Sequence, residues 1–418
     1  MLKMHIIDPR RLQHASMLRQ RHKRTKKLLL VFSMLFFLAS GYAGYCLKRP
    51  LPTLAPVRTA QISVPSKDVA LAWPGDGQTA IGALNYGVLA QSGAETPKPI
   101  ASVAKVMTAL AVLKKYPLEP GQKGPTIAVT AADIKSYNDY VAKDGSVVAV
   151  NLGEQLTQYQ ALQGLLIPSG NNIADLLVRW AFGSMDVYLA YANNMAKELG
   201  MDQTKISDAS GFSAQTVSTP SDLVRLGLAA LDDPIIAEVV KQTSADLPVA
   251  GTIRSTNIFL GKSDVIGIKT GHTDEAGGCF LLGATHDFGG QKTTVVVATV
   301  GAKDINAAMG GSVNMLPSIT AGFGSQTVVK TGDLIGYYNV PWKGQVNITS
   351  DSEMTVFGWL GKTIEPKVDL NKLSVPSALG SAAGSITLQA NGSTAGSVTV
   401  IDQAILTPTK WWRLTHPL

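Results

Sequence analysis

Cysteine is nearly absent. The 418 residues hold two, Cys46 and Cys279. That excludes a disulfide scaffold and any cysteine-rich zinc or iron–sulfur site. Histidine is scarce as well. Of six, His5, His14 and His22 precede residue 28 and His416 is third from the end, which leaves His272 and His286. There is no HExxH, so a zincin-type site is not expected. There is no G-x-S-x-G elbow for a serine–histidine hydrolase. Charge is low, 16% against 45% hydrophobic, which is the composition of a chain with a sizeable core.

A net positive balance is missing from most of the chain, although the net charge is +7. Residues 1–49 carry 11 Lys and Arg against the single acid Asp8, and the remaining 369 residues sum to −3. The basic balance therefore belongs to the N-terminus, and no nucleic-acid partner is expected.

Residues 28–46, LLLVFSMLFFLASGYAGYC, are uncharged and mostly apolar. Their length is close to the roughly 20 residues of a bilayer-spanning helix. The run RQRHKRTKK (Arg19–Lys27) precedes them, and only Lys48 and Arg49 follow directly. The heavier positive flank stays cytoplasmic, so the expected topology is a single-pass anchor in the cell membrane with the C-terminal bulk of the chain extracytoplasmic. A cleaved signal peptide is the alternative. The expected organisation is a basic tail (1–27), a transmembrane signal-anchor (28–46), a Pro-rich linker (47–66), a main domain of mixed helical and strand-like segments (67–323) and a C-terminal β-rich domain (324–418). The linker holds Pro50, Pro52, Pro56 and Pro65 and reads as a semi-rigid spacer. In the last domain Asn391-Gly392 lies between alternating runs, a hairpin signal.

One lysine has a serine three positions before it: Lys105, with Ser102, in PIASVAKVMTALAVLKKY. Val106, Met107, Leu110 and Leu113 recur at helical spacing, so a helix begins near Ser102 and carries both polar groups on one face. The positive end of that helix favours a developing alkoxide at Ser102. Lys105 takes the serine proton only if burial and a second cation keep it neutral. The spacing alone is also that of a cap serine followed by a surface lysine.

Serine–x–asparagine triplets occur at Ser136, Ser169, Ser255 and Ser312, and Lys-Thr-Gly occurs at Lys269 and Lys330. Context separates them. Ser169 lies in LLIPSGNNIADLLVRWA, a turn leading into an amphipathic helix, and Ser136 is its rival. Lys269 lies in VIGIKTGHTDEAGGCFLLGATH, which reads as an inner strand with an exposed edge presented to a ligand. Lys330 reads as a solvated turn, and Ser255 and Ser312 as turn and cap residues.

The order Ser102/Lys105, Ser169/Asn171, Lys269/Thr270/Gly271 resembles the low-molecular-weight D-alanyl-D-alanine carboxypeptidases of the peptidase S11 family. So does the wording of P-I-A-S-x-x-K, S-G-N-N and G-I-K-T-G-H-T-D, over about residues 67–323. The resemblance implies an α/β (α+β) fold of the serine β-lactamase/DD-peptidase type. An antiparallel sheet would have flanking helices and an inserted helical lobe, beside a small C-terminal all-β domain.

It also implies roles. Ser102 attacks the D-Ala-D-Ala carbonyl of a peptidoglycan stem pentapeptide, with Lys105 as base, and removes the terminal D-alanine through an acyl-serine. Ser169 relays a proton, and Asn171 holds the acyl chain and Lys105. Lys269 and Thr270 bind the substrate carboxylate, and Gly271 admits its backbone. The backbone N–H groups of Ser102 and His272 form the oxyanion hole, worth roughly 3–4 kcal/mol per donor. β-Lactams would be covalent inhibitors. No metal or other cofactor is implied.

Ile266 stands where many members have an acid, and Ser210 where some have histidine. Thr219 and Asp222 read as helix capping, while the resemblance implies a supporting role for Asp222 near the cleft. The end, KWWRLTHPL, is too short for an amphipathic anchor, and Trp411 and Trp412 read as domain-edge packing. A DD-endopeptidase, a class A-like β-lactamase and a non-catalytic wall-binding protein remain alternatives. Glu198 and Glu238, the glutamates between residues 172 and 268, lack the context of a lactamase water-activating residue.

Overall fold

The computed structural model describes residues 9–59, 61–390 and 393–417. The N-terminal helix α1 (Pro9–Lys48) is longer than the expected span, because its basic run continues the same helix. Its segment Met17–Lys48 is long and apolar enough to cross a membrane.

The central sheet has five antiparallel strands. Its order is Val265–Thr273, Gly277–Asp287, Lys292–Ala302, Gln78–Ala83, Gly87–Ser92. Strand side chains alternate between faces. Val296, Ala298 and Val300 enter the core shared with the helical lobe, while Val295 and Val297 enter a second core on the opposite face. Both faces are covered, so these strands read as continuous apolar runs rather than as polar alternation.

The lobe comprises α2 (Ala104–Lys115), α3 (Ala131–Val141), α4 (Gln158–Leu166), α5 (Asn171–Phe182), α6 (Met185–Glu198), α7 (Pro220–Asp232) and α8 (Pro234–Val239). Helices α9 (Ile305–Asn314) and α10 (Leu316–Ala321) cover the other face of the sheet. The Lys269 strand is the edge of the sheet and not an inner strand. It packs against the 3-10 turn that carries Ser102.

The C-terminal part is β-rich from Phe323 onward, with a third core of its own. The strands flanking Asn391-Gly392 pair from Ala382↔Val400 to Ala390↔Ser393, with a register shift between Ala382 and Gly384. The two turn residues lie outside the described residues. The Pro-rich linker is not a free spacer. Pro56–Arg58 forms the edge strand of the six-stranded sheet, paired with Gly336–Tyr338, and Leu54 is buried in an antiparallel bridge to Leu373. Proline content signals an extended chain, and here the extended chain found a strand edge.

The final helix α11 (Lys410–Thr415) lies against the end of α1, with Arg413 Nε donating to the Cys46 carbonyl at 3.2 Å. Trp412 packs on Trp342 with ring centroids 5.2 Å apart. Trp411 departs from the domain-edge expectation, because it is 74% exposed.

Candidate active site

A 3-10 turn, Ala101–Val103, runs directly into α2, so Ser102 and Lys105 stand one turn apart. Lys105 is fully buried. Its amine lies 2.7 Å from Ser102 Oγ, 2.6 Å from Asn171 Oδ1 and 2.9 Å from the Ser210 carbonyl. A neutral amine has two hydrogens and one lone pair. The Asn171 and Ser210 oxygens accept the two hydrogens, and the lone pair then faces the Ser102 hydroxyl. Burial pushes the Lys105 ammonium well below the usual lysine range, and the Lys269 cation pushes it further down. Asp208 and Asp175 oppose both effects.

Asn171 opens α5, behind a tight turn. Ser169 sits at φ +70°, in the left-handed region, and is 4% exposed. Its hydroxyl has no partner among the described residues. An orphaned buried hydroxyl costs about 1–3 kcal/mol, and such local cost concentrates at functional positions. Asn172 pins the neighbouring loop through bonds to Val148 N and O, each 2.9 Å.

The edge strand contributes Lys269, 1% exposed. Burial lowers it to about 7. Its amine donates to the Thr270 carbonyl at 3.0 Å. The Thr270 hydroxyl meets that of Thr256 at 2.6 Å. Gly271 marks a close approach, because a β-carbon there would lie 3.0 Å from Ser102 N and 3.1 Å from Ile100 O. A side chain would push the strand off the nucleophile turn. The His272 side chain is exposed at the far end of the strand.

The structure thus gathers Ser102, Lys105 and Asn171 in direct contact. Ser169, Lys269, Thr270 and Gly271 are buried on the two adjoining elements. The rival triplet at Ser136 does not touch Lys105; its hydroxyl donates to Asp175 at 2.6 Å. Ser312 lies within α9 and donates back to the Ala308 carbonyl, rather than capping. Lys330 lies in an exposed turn, as expected. Thr219 caps α7, while Asp222 accepts from Gln203 N and Thr204 Oγ1, both at 2.9 Å. Ile266 is a partly buried apolar neighbour of the lobe core. The glutamates of the lactamase alternative are engaged elsewhere. Glu198 pairs with Lys114 at the surface, and Glu238 accepts from Tyr159.

Sequence reading missed the Ser210 carbonyl and its organiser. Asp208 accepts from Ser210 Oγ at 2.8 Å and Phe212 N at 2.9 Å, folding the loop that aims that carbonyl at Lys105. It also missed Thr256, whose triplet looked like an ordinary turn.

Several known proteins share this arrangement's sequence or fold. The D-alanyl-D-alanine carboxypeptidase of Streptomyces sp. (strain K15) is 31% identical, over 51% of this chain and 77% of its own. A D-alanyl-D-alanine endopeptidase of Escherichia coli is 28% identical, over 44% and 59%. Among solved structures, a mutant Streptomyces DD-transpeptidase matches at 26% identity and TM-score 0.52, covering 60% of this chain and 99% of that one. Penicillin-binding protein 5 of Haemophilus influenzae shares the fold, with TM-score 0.57 at 16% identity, over 82% and 99%. The D-alanyl-D-alanine carboxypeptidase pattern of peptidase S11 matches residues 81–303, and the chain belongs to that family.

Proposed function

We propose that this serine-type carboxypeptidase removes the terminal D-alanine from peptidoglycan stem pentapeptides, with Ser102 as nucleophile and Lys105 as its base. The contact of one buried amine with Ser102, Asn171 and the Ser210 carbonyl carries the reading. Ser102 Oγ attacks the carbonyl carbon between the two D-alanines as its proton passes to Lys105. The C–N bond breaks. Ser169 gives its hydroxyl proton to the departing amine and takes in its place the proton held by Lys105. Water then cleaves the Ser102 ester, delivering its hydroxyl to the acyl carbon and its proton through Lys105 back to Ser102.

Lys269 and Thr270 bind the terminal carboxylate. A lysine near pKa 7 gains charge beside an anion. Substrate binding therefore recharges Lys269, and the recharged Lys269 disfavours a second cation at Lys105. The backbone N–H groups of Ser102 and His272 serve as oxyanion donors. β-Lactams, with a carboxylate and a reactive amide, acylate the same serine. α1 anchors the enzyme with its N-terminus in the cytoplasm and the catalytic domain outside. The bond from Tyr42 Oη to Leu414 O at 3.0 Å supports an uncleaved anchor, because cleavage after Ala43 would remove Tyr42.

The test is D-alanine release from a synthetic pentapeptide ending in D-Ala-D-Ala, run beside a cross-linked stem-peptide dimer and a chromogenic cephalosporin. Fast release from the pentapeptide alone is expected. Faster cleavage of the dimer selects the endopeptidase, and rapid cephalosporin turnover selects the lactamase.

A further inference from the structure

α3, α5 and the 208–213 loop, whose Ser210 carbonyl accepts from Lys105, line a pocket of about 390 Å³ into which two carboxylates project, Asp175 and Asp208. Asp175 follows Asn171 by four positions on α5, so the two share a face. Its Oδ2 accepts from Ser136 Oγ at 2.6 Å. Tyr140 Oη lies 3.3 Å from Ser210 Oγ, and its ring packs edge-on against Phe212. Among the described residues neither Asp175 nor Asp208 forms an ion pair. Asp208 is occupied in shaping its loop. Asp175 has no such duty in the mechanism derived above, yet it is a half-hidden acid one helical turn from a residue that touches the base.

The charged groups acting on Lys105 come from three elements: Lys269 on the edge strand, Asp208 on the loop and Asp175 on α5. Those acting on Asp175 are Asp208 and Lys105, together with its hydroxyl donors Ser136 and Tyr140. Lys135, Asp139 and Lys143 also line the pocket, and Lys135 and Asp139 pair with each other at 2.6 Å. Burial raises Asp175 above the usual carboxylate range, Ser136 draws it back, and Lys105 favours its charged form.

We propose that Asp175 is a positioning residue for the Lys105 base: held by Ser136 one helical turn from Asn171, its carboxylate joins Asp208 in opposing burial and Lys269, and so helps to set the pH at which acylation begins. This rests on the reading of Lys105 as base. The sign is specific. Removing the negative charge makes the ammonium form of Lys105 less favourable, so the neutral amine persists to lower pH.

The test is the rate of penicillin acylation of the full chain in detergent, followed across its acid limb. In Asp175→Asn the midpoint of that limb moves down by about one pH unit, so the variant is faster than wild type below the wild-type midpoint. Asp175→Glu, which keeps the charge, returns the midpoint toward wild type. Ser136→Ala, which removes the carboxylate's donor, moves it the same way by less. A merely structural role lowers the rate at every pH and leaves the midpoint in place, and that result overturns the proposal. If Asp175→Asn does not fold, an unmoved midpoint in Ser136→Ala overturns it. Lys105→Met separates the two readings. Wild-type acylation in that variant removes the base itself. A silent Lys105→Met beside an unmoved Asp175→Asn removes only the role of Asp175.

Discussion

Gly211 rests on the carbonyl of Ala101, the residue before Ser102. A β-carbon at Gly211 would lie 1.8 Å from that oxygen, and the backbone there has φ +74°. Gly211→Ala must therefore move the loop or the nucleophile turn, and either motion takes the Ser210 carbonyl off Lys105. The left-handed backbone alone costs about 1–3 kcal/mol. Acylation by a fluorescent penicillin is expected to fall about 100-fold, as a misplaced reacting group does. The urea midpoint measured beside it separates misplacement from unfolding. Acylation at the wild-type rate would disconnect the loop from the site.

Lys105→Arg is expected to be as damaging as Lys105→Met. Arginine has a comparable reach, but it stays cationic in proteins and has no lone pair to offer Ser102. Both variants should lose about 10²–10⁴ in acylation rate, the usual worth of a positioned base. Partial rescue by arginine would mean that Lys105 acts as a cation instead.

The two lysines give the rate against pH two limbs. Lys105 must be neutral, so kcat/KM falls as pH drops. Lys269, lowered to about 7 in the free enzyme, must be cationic to hold a carboxylate, so kcat/KM falls again as pH rises through about 7. The limbs belong to the interacting pair and not to either residue alone. A substrate whose terminal carboxylate is replaced by an amide should lose most of its rate and the basic limb with it. Persistence of that limb would place the titration elsewhere.

The site was legible where chemistry sits in short sequence words. Ser102 and Lys105 are one helical turn apart in sequence, and Gly271 marks a close approach that a β-carbon would prevent. The Ser210 carbonyl was not legible, because a backbone acceptor has no side-chain signature. Asp208, Asp175 and Tyr140 converge from three separated segments, and no local pattern reports that meeting. For the fold, apolar alternation and turn residues announced a β-rich C-terminal part. Pairing of Pro56–Arg58 with Gly336–Tyr338 was hidden, since a strand edge hundreds of residues away leaves no mark on a proline-rich stretch.

That pairing carries its own prediction. Leu54, 4% exposed, packs in the core of the β domain. Leu54→Ala should destabilise that domain by about 2–5 kcal/mol, the usual cost of such a truncation in a core. Penicillin acylation should change little, because the nucleophile turn belongs to a different core. Protease nicking after residue 323 under mild denaturant reads the effect. A variant as resistant as wild type would show the strap to be dispensable.

The most direct measurement is the intact mass of the full chain in detergent after exposure to penicillin, with wild type beside Ser102→Ala. The account predicts one penicillin mass added to wild type, and none to a Ser102→Ala protein whose circular dichroism matches. An adduct of the same mass on the folded Ser102→Ala protein would place the nucleophile elsewhere and contradict the account.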